Sequence, residues 1–419
     1  MLAPVRTGIE DFSWRPILLP AYGPTALASL GYGALAPIVA LAASDLGADV
    51  ATAALVVGLI AFGQLIGDLP AGAVAARLGE RRALLLASAV DAASMTTAYF
   101  SHSLWLLAIA VFVDGLAASV FNLARHAWMT VVIPPRYRAR ALSSLGGTFR
   151  VGLFFGPFIG AGLIAAFSLH AVFLFAAATG LAAGGLILRM PDLTASNFAA
   201  HAASGASGTS AAAAAVTGEQ QGPVTVAATI RRHWRVLATV GIGVLLITAA
   251  RASRQSILPL WSQAQHLDAS TISLVFGVAS GLELLLVYPG GAVMDRYGRA
   301  FVAVPAVVLM GIGLAVLPMT HTAATITVAA CVMAVGNGLS SGIVLTLGSD
   351  AAPAVGRAQF LGARRFLADA GGLLGPGLIS VVTAFATLTS AAFVLVGLCA
   401  VGAGWLAAWA PRRRPVTGR

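Results

Sequence analysis

Asp114 and Arg125 stand in one apolar run of this chain, Arg150 in the next, and Arg251, Arg254, Glu283 and Asp369 in later ones. A charged group at mid-membrane costs roughly 2.5–3.5 kcal/mol on insertion scales, so such residues need a partner or a task. Three chemistries fit: a buried ion pair, a seat for a charged group on a solute, or a carboxylate that takes up and releases a proton. At about 100° and 1.5 Å per residue, the spacing between Asp114 and Arg125 puts them nearly on one helical face, about 16 Å apart in depth.

Bond-making chemistry has less support. Gly338-Leu-Ser340-Ser-Gly342 matches a nucleophile-elbow pattern, but it lies inside an apolar helical run rather than a strand–turn–helix. The seven histidines show no HExxH spacing, and His102, His170, His266 and His321 fall in loops as solvated residues. Cys331 and Cys399 lack any CxxC or metal spacing and read as small buried apolar groups. Lysine is absent, so no Walker-type loop exists. No metal and no bound cofactor are expected.

The elements that hold these charges are long and apolar. The chain is 58% hydrophobic and 10% charged, with a mean hydropathy of +0.90, which places it in a lipid bilayer. Twelve helical spans are expected near 17–42, 51–75, 83–101, 104–131, 141–166, 169–188, 235–261, 270–292, 301–319, 323–348, 360–383 and 387–409. Pro20, Pro24 and Pro37 suit a distorted first span rather than a cleavable signal. All 25 basic residues are arginine, and most lie in the tails and alternate loops. The opposite loops, around 44–50, 102, 168–170, 262–270, 321 and 385–387, contain none. The positive-inside rule then puts both termini in the cytoplasm and makes the +10 net charge a matter of topology, not of nucleic-acid binding. Residues 191–232, rich in Ala, Ser, Gly and Thr, read as a flexible cytoplasmic linker between halves 1–190 and 233–419.

Those halves repeat one another 219 residues apart. Gly72, Arg77 and Gly79 recur as Gly291, Arg296 and Gly298; Pro134 and Arg138 as Pro353 and Arg357; Gly152, Gly156 and Pro157 as Gly371, Gly375 and Pro376. Two equivalent membrane halves are a transporter signature. The loop after span 2 reads Gly72-x4-Arg77-x-Gly79-x-Arg81-Arg82, and that after span 8 reads Gly291-x3-Asp295-Arg296-x-Gly298-Arg299. Both resemble the cytoplasmic loop motif of the major facilitator superfamily. The resemblance implies a gate in which the first Gly permits close packing while the acid and Arg hold the halves together. Ala76 takes the acidic position in the first copy, leaving Asp295 to make that contact, with Asp68 a loose substitute.

Span 5 carries Gly152-x3-Gly156-Pro157-x2-Gly160, a smooth stripe followed by a helix-bending proline. It resembles the family's antiporter motif, which is associated with export; Ser143 and Ala161 replace its first and last Gly. The span 4 motif of drug exporters, Arg-x-x-Gln-Gly, is missing: Val111 and Asp114 stand at its Arg and Gln.

The family architecture implies that spans 1, 4, 7 and 10 line a central cavity, that 2, 5, 8 and 11 form the seam of the halves, and that span 3 is peripheral, making Asp91 structural. Arg150 and Asp369 are repeat mates, as are Gln64 and Glu283. If span 5 meets span 8 and span 2 meets span 11, Arg150 faces Glu283 across the halves and Asp369 faces Gln64, leaving Asp369 to bind a proton. The expected protein is an all-α, twelve-helix secondary transporter of the inner or plasma membrane. The resemblance implies a monomer, driven by the proton gradient, that exports small cationic or amphipathic molecules such as drugs by alternating access. An uptake permease for an organic anion, sugar or peptide is the rival on the same fold, favoured by Arg125, Arg251 and Arg254. A membrane-embedded enzyme or sensor is a more distant one.

Overall fold

The structure is a computed structural model that describes residues 15–133, 135–190, 226–344, 346–347 and 357–409. Pro134, Pro353, both terminal tails and residues 191–225 of the expected linker lie outside the described residues. The first half runs α1 (Arg15–Leu35), α2 (Ile38–Asp45), α3 (Val50–Leu78), α4 (Glu80–Tyr99), α5 (Leu104–Val132), α6 (Pro135–Ala166) and α7 (Ala171–Ile187). The second runs α8 (Val226–Val236), a π turn (Leu237–Gly241), α9 (Ile242–Ala264), α10 (Ala269–Tyr297), α11 (Arg299–Val316), α12 (Ala323–Leu339), α13 (Arg357–Phe385) and α14 (Leu388–Trp409). Residues 226–232 of the expected linker are thus the first turns of α8.

This is an all-helical membrane fold. Among the described residues, eight helices are long and apolar enough to cross a bilayer, and a ninth crossing is the pair α1 and α2, bent by 45°. Pro37 sits at the bend, where it cannot supply the backbone N–H of a continuous helix. Helices α7 and α12, at 17 residues each, are apolar but short. Helix α4 is 20 residues long but dilutes its apolar content with Asp91 and hydroxyl side chains.

The repeat reaches the helix caps. The Asp49 carboxylate accepts from the Thr52 amide at the start of α3, and Asp268 accepts from Thr271 at the start of α10, 219 residues on. Ser103 and Thr322 cap α5 and α12 in the same register. Each cap satisfies an amide that the first helical turn leaves unpaired. At the other end, α3 and α10 stop at Gly79 (φ 79°) and Gly298 (φ 99°), a left-handed geometry that a side chain resists. Those glycines turn the chain directly into α4 and α11.

Within each half, a glycine stripe clamps two helices. A Cβ on Gly152 would run into Ser29 of α1, and one on Gly371 would run into Thr248 of α9, the repeat mate of Ser29. Gly156 meets the α1 backbone at Leu30 and Ala34; Gly375 meets α9 at Ala249 and Ser253. The close approach expected of this motif is present, and it joins helices inside a half. Gly72 and Gly291 differ. A Cβ on Gly72 would meet only Leu123, at 3.9 Å, and one on Gly291 nothing within 4 Å, so the close packing expected of the loop motif is absent there.

The halves meet along two seams, α3 against α13 and α6 against α10. At the end of the molecule with Arg-free loops, one apolar core runs through both halves, from Ile38–Ala43 to Ile257, Leu258 and Phe276. A second buried cluster, around Trp128, Met129 and Leu145, lies at the Arg-rich end and belongs to the first half alone.

Candidate functional site

A cavity of about 350 Å³ opens inside the first half, between α1, α4, α5 and α7. Asp114 and Arg125 both line it, as their spacing requires, together with Gln64 of α3, the rings of Tyr32, Phe121 and Phe149, and Gln255 reaching in from α9. Asp91 lines it too. Its carboxyl comes within hydrogen-bond reach of Asp114 across the α4–α5 packing. The expectation that Asp91 is peripheral is therefore wrong: the face of α4 bearing Ser88 and Asp91 turns inward, because Gly180 of α7 leaves room for the Asp91 carboxylate.

No arginine pairs with Asp91 or Asp114 among the described residues. Arg125 donates to Thr25 Oγ1 at 3.1 Å and to Asn122 Oδ1 at 2.9 Å, and lies over the Phe121 ring. Its Nε has no partner although the residue is only 9% exposed. Ser88 Oγ is likewise buried and unpartnered. The cavity therefore carries acid at one end, one cation at the other, and aromatic walls between them.

The second half is arranged differently. Arg254 forms a buried ion pair with Glu283, and Asn337 Nδ2 donates to the other carboxylate oxygen at 2.8 Å. Arg251 donates to Ser340 Oγ at 2.8 Å, so Ser340 serves as an acceptor in a polar network that ties α9 to the end of α12. This corrects the expected Arg150–Glu283 pair. Glu283 turns into its own half, and Arg150 makes no hydrogen bond or ion pair among the described residues, although it lies within electrostatic range of Glu283 and Arg251. The seam that was to carry this pair is aromatic instead, with Phe154 and Phe158 packed on Gly281 and Gly277.

Asp369 does not face Gln64, which points into the cavity. It lies 3.7 Å from Arg365, one turn away, and beside Asp68. Arg365 grips Asp68 across the halves through Nε and Nη2 at 2.7 and 2.9 Å. Arg365 was missed in the sequence, where Asp68 was only a loose substitute for the absent acid at 76. Asp295 pairs with Arg299 in its own loop, so the ionic contact between halves among the described residues is Asp68–Arg365. Arg81 reaches the Leu188 carbonyl, and Arg296 stacks on Tyr297; both contacts stay within their own halves. Arg77 and Arg82 lie at the turn that Gly79 makes, where α3 passes into α4.

Two helical halves that share one sequence repeat, and that meet along two seams, match a family model. The Major Facilitator Superfamily model covers residues 25–376 and, in a second alignment, 240–419. The chain belongs to the Major Facilitator Superfamily. This makes it a multi-pass membrane protein of a transporter superfamily.

Among relatives, the class H tetracycline resistance protein of Pasteurella multocida is 30% identical over 156 residues, which is 36% of this chain and 38% of the relative. The multidrug resistance protein MdtH of Enterobacter sp. (strain 638) is 28% identical over 139 residues, 33% of this chain and 35% of that one. The aligned stretches thus span less than two fifths of these relatives' length. Among solved structures, a POT family transporter in complex with 5-aminolevulinic acid superposes with a TM-score of 0.75 at 11% identity, covering 96% of this chain and 97% of that one. The nucleoside transporter NupG gives 0.69 at 13% identity, over 93% and 98%. At such identities the superpositions carry the fold alone.

Proposed function

We propose that this facilitator-superfamily chain exports small cationic or amphipathic molecules from the cell in exchange for protons, with both termini in the cytoplasm. The carrying observation is the first-half cavity, walled by two neighbouring carboxyl groups that pair with no arginine among the described residues. An uncompensated acid in a low-dielectric pocket attracts either a proton or an organic cation, which is what exchange requires. Aromatic walls at Tyr32, Phe121 and Phe149 suit the apolar body of such a solute. Arg251 and Arg254, which favoured an anion permease on sequence, are engaged with Ser340 and Glu283 away from the cavity. The antiporter-type stripe on α6 and the resistance proteins among the relatives point the same way.

The test is directional. In inside-out vesicles an imposed proton gradient, acid inside, should drive accumulation of a fluorescent cation such as ethidium. An uptake permease gives the opposite result, accumulation in right-side-out vesicles with proton entry.

A further inference from the structure

We infer that the first-half cavity is a site for a bipolar organic solute: Asp91 and Asp114 form one seat for its ammonium group, and Arg125 Nε receives an acceptor group at the far end. This inference rests on the transporter reading but not on the direction of transport.

Three observations carry it. The carboxyl groups of Asp91 and Asp114 lie within hydrogen-bond reach of each other, on different helices and facing one cavity. Two carboxylates so close do not both stay ionised; they hold one proton between them until another cation replaces it. Second, two polar atoms that line the same cavity have no partner: Ser88 Oγ, in a residue 4% exposed, and Arg125 Nε, in one 9% exposed. Buried polar groups are paired in nearly all structures, so these are places where a ligand completes the bonding. Third, Asp114 and Arg125 stand about 16 Å apart in backbone rise along α5, and Tyr32, Phe121 and Phe149 line the same cavity. A solute with an ammonium at one end, an aromatic body and a carboxylate at the other matches this layout.

The other titratable or charged groups around the seat are few. Tyr32 faces Asp114 from α1, and Arg125 lies on α5 itself; α3, α7 and α9 offer Gln64, Thr179 and Gln255, which do not titrate. The pH dependence of cation binding therefore belongs to the acid pair. A cation and a proton compete for the same seat, so affinity for an ammonium probe should drop as pH is lowered.

A matched probe set tests this on the full-length protein in lipid nanodiscs, by calorimetry at pH 7. The probes are 4′-(aminomethyl)biphenyl-4-carboxylic acid, 4-(aminomethyl)biphenyl with the ammonium alone, and biphenyl-4-carboxylic acid with the carboxylate alone. The bipolar probe should bind at least tenfold tighter than either half-probe. D91N and D114N should each weaken both ammonium probes tenfold or more and leave the carboxylate probe unchanged. R125Q should weaken the two carboxylate-bearing probes and spare the ammonium one. In weak buffer, ammonium binding should release close to one proton per site, and D91N or D114N should reduce that release.

Equal binding of the three probes, binding of none at millimolar concentration, or a parallel loss of all three in every variant would overturn the site. If D114N fails to fold, D91N, R125Q and the wild-type proton release still decide the matter. If the probes behave as expected while vesicles show uptake, the site stands and the export reading falls.

Discussion

The two halves share a backbone plan and fill their interiors in opposite ways. In the first, Asp91 and Asp114 face an open cavity. Their repeat mates 219 residues on are Met310 and Met333, exposed by 1% and 0%, packed against the backbones of α12 and α11 where Gly336 and Gly313 make room. Conversely, the first half has Tyr32 and Leu35 where the second has Arg251 and Arg254, and Gln64 where the second has Glu283. In the second half Arg254 pairs with Glu283 and Arg251 donates to Ser340, whereas in the first Asp91, Asp114, Ser88 and Arg125 line an open cavity. On the proposed reading, the first half holds the solute and the second is its ion-paired and apolar counterpart. Gene-level symmetry supplies the scaffold, and substitutions at mated positions assign the work.

The comparison breaks most visibly at Glu283. Removing one partner of a buried pair leaves the other charge uncompensated, at a cost of roughly 3–5 kcal/mol. Glu283→Ala should therefore sharply lower the unfolding temperature or abolish folded protein, measured by tryptophan fluorescence in detergent. Gln64→Ala, its mate in the cavity wall, should move it little. Equal effects would mean that the interiors are not divided as described.

Next is a test that converts one half into the other. Asp91→Met with Asp114→Met copies the second-half interior into the first. Replacing buried polar groups with well-packed apolar ones is often neutral or stabilising. The double variant should keep or raise the wild-type unfolding temperature while transport in vesicles falls at least tenfold. Wild-type transport would remove the acids from the mechanism.

Much of this was legible in the sequence. The repeat exposed the fold because it is written at positions with no tolerance: caps such as Asp49 and Asp268, left-handed turns at Gly79 and Gly298, and contact glycines such as Gly152 and Gly371. The pairing of charges was not legible. Glu283 has Arg150, Arg251 and Arg254 within electrostatic range, and spacing along one helix does not say which way a long side chain turns. Asp91 was assigned to the periphery from the architecture of the family, although the neighbouring Ser88 and Ser94 already marked an inward polar face on α4. Arg365 escaped notice since its partner, Asp68, lies 297 residues away in the other half.

The seams extend the comparison. Asp68–Arg365 binds α3 to α13, while the related α6–α10 seam has aromatic rings on glycines and no ion pair among the described residues. Arg365 is 38% exposed, so a paired, two-pronged contact here contributes only about 1 kcal/mol. In a double-mutant cycle with Asp68→Asn and Arg365→Gln, the coupling energy from unfolding midpoints should be of that order. It should shrink in high salt, since part of the pair meets solvent. Phe154→Leu, on the other seam, should show no salt dependence.

The smallest effect concerns features the halves share. Asp268 accepts from the amide and hydroxyl of Thr271 and the hydroxyl of Ser270, in a loop outside the spans. Those bonds, the Ser270 hydroxyl foremost, favour the carboxylate and hold its pKa at about 2, below the ordinary 3.8. A depressed folded value means that the contribution is fully present above the unfolded pKa and is lost as pH falls from about 4 towards 2. Asp268→Ala should cost about 0.5 kcal/mol at pH 7, the low end for an exposed cap. Wild type and variant should then converge in unfolding midpoint as pH is lowered through that window. Because Asp49 caps α3 by the same bond to Thr52, Asp49→Ala should give the same convergence. Divergence between these two sites, unlike divergence between Gln64 and Glu283, would show that the halves differ in their frame as well as in their contents.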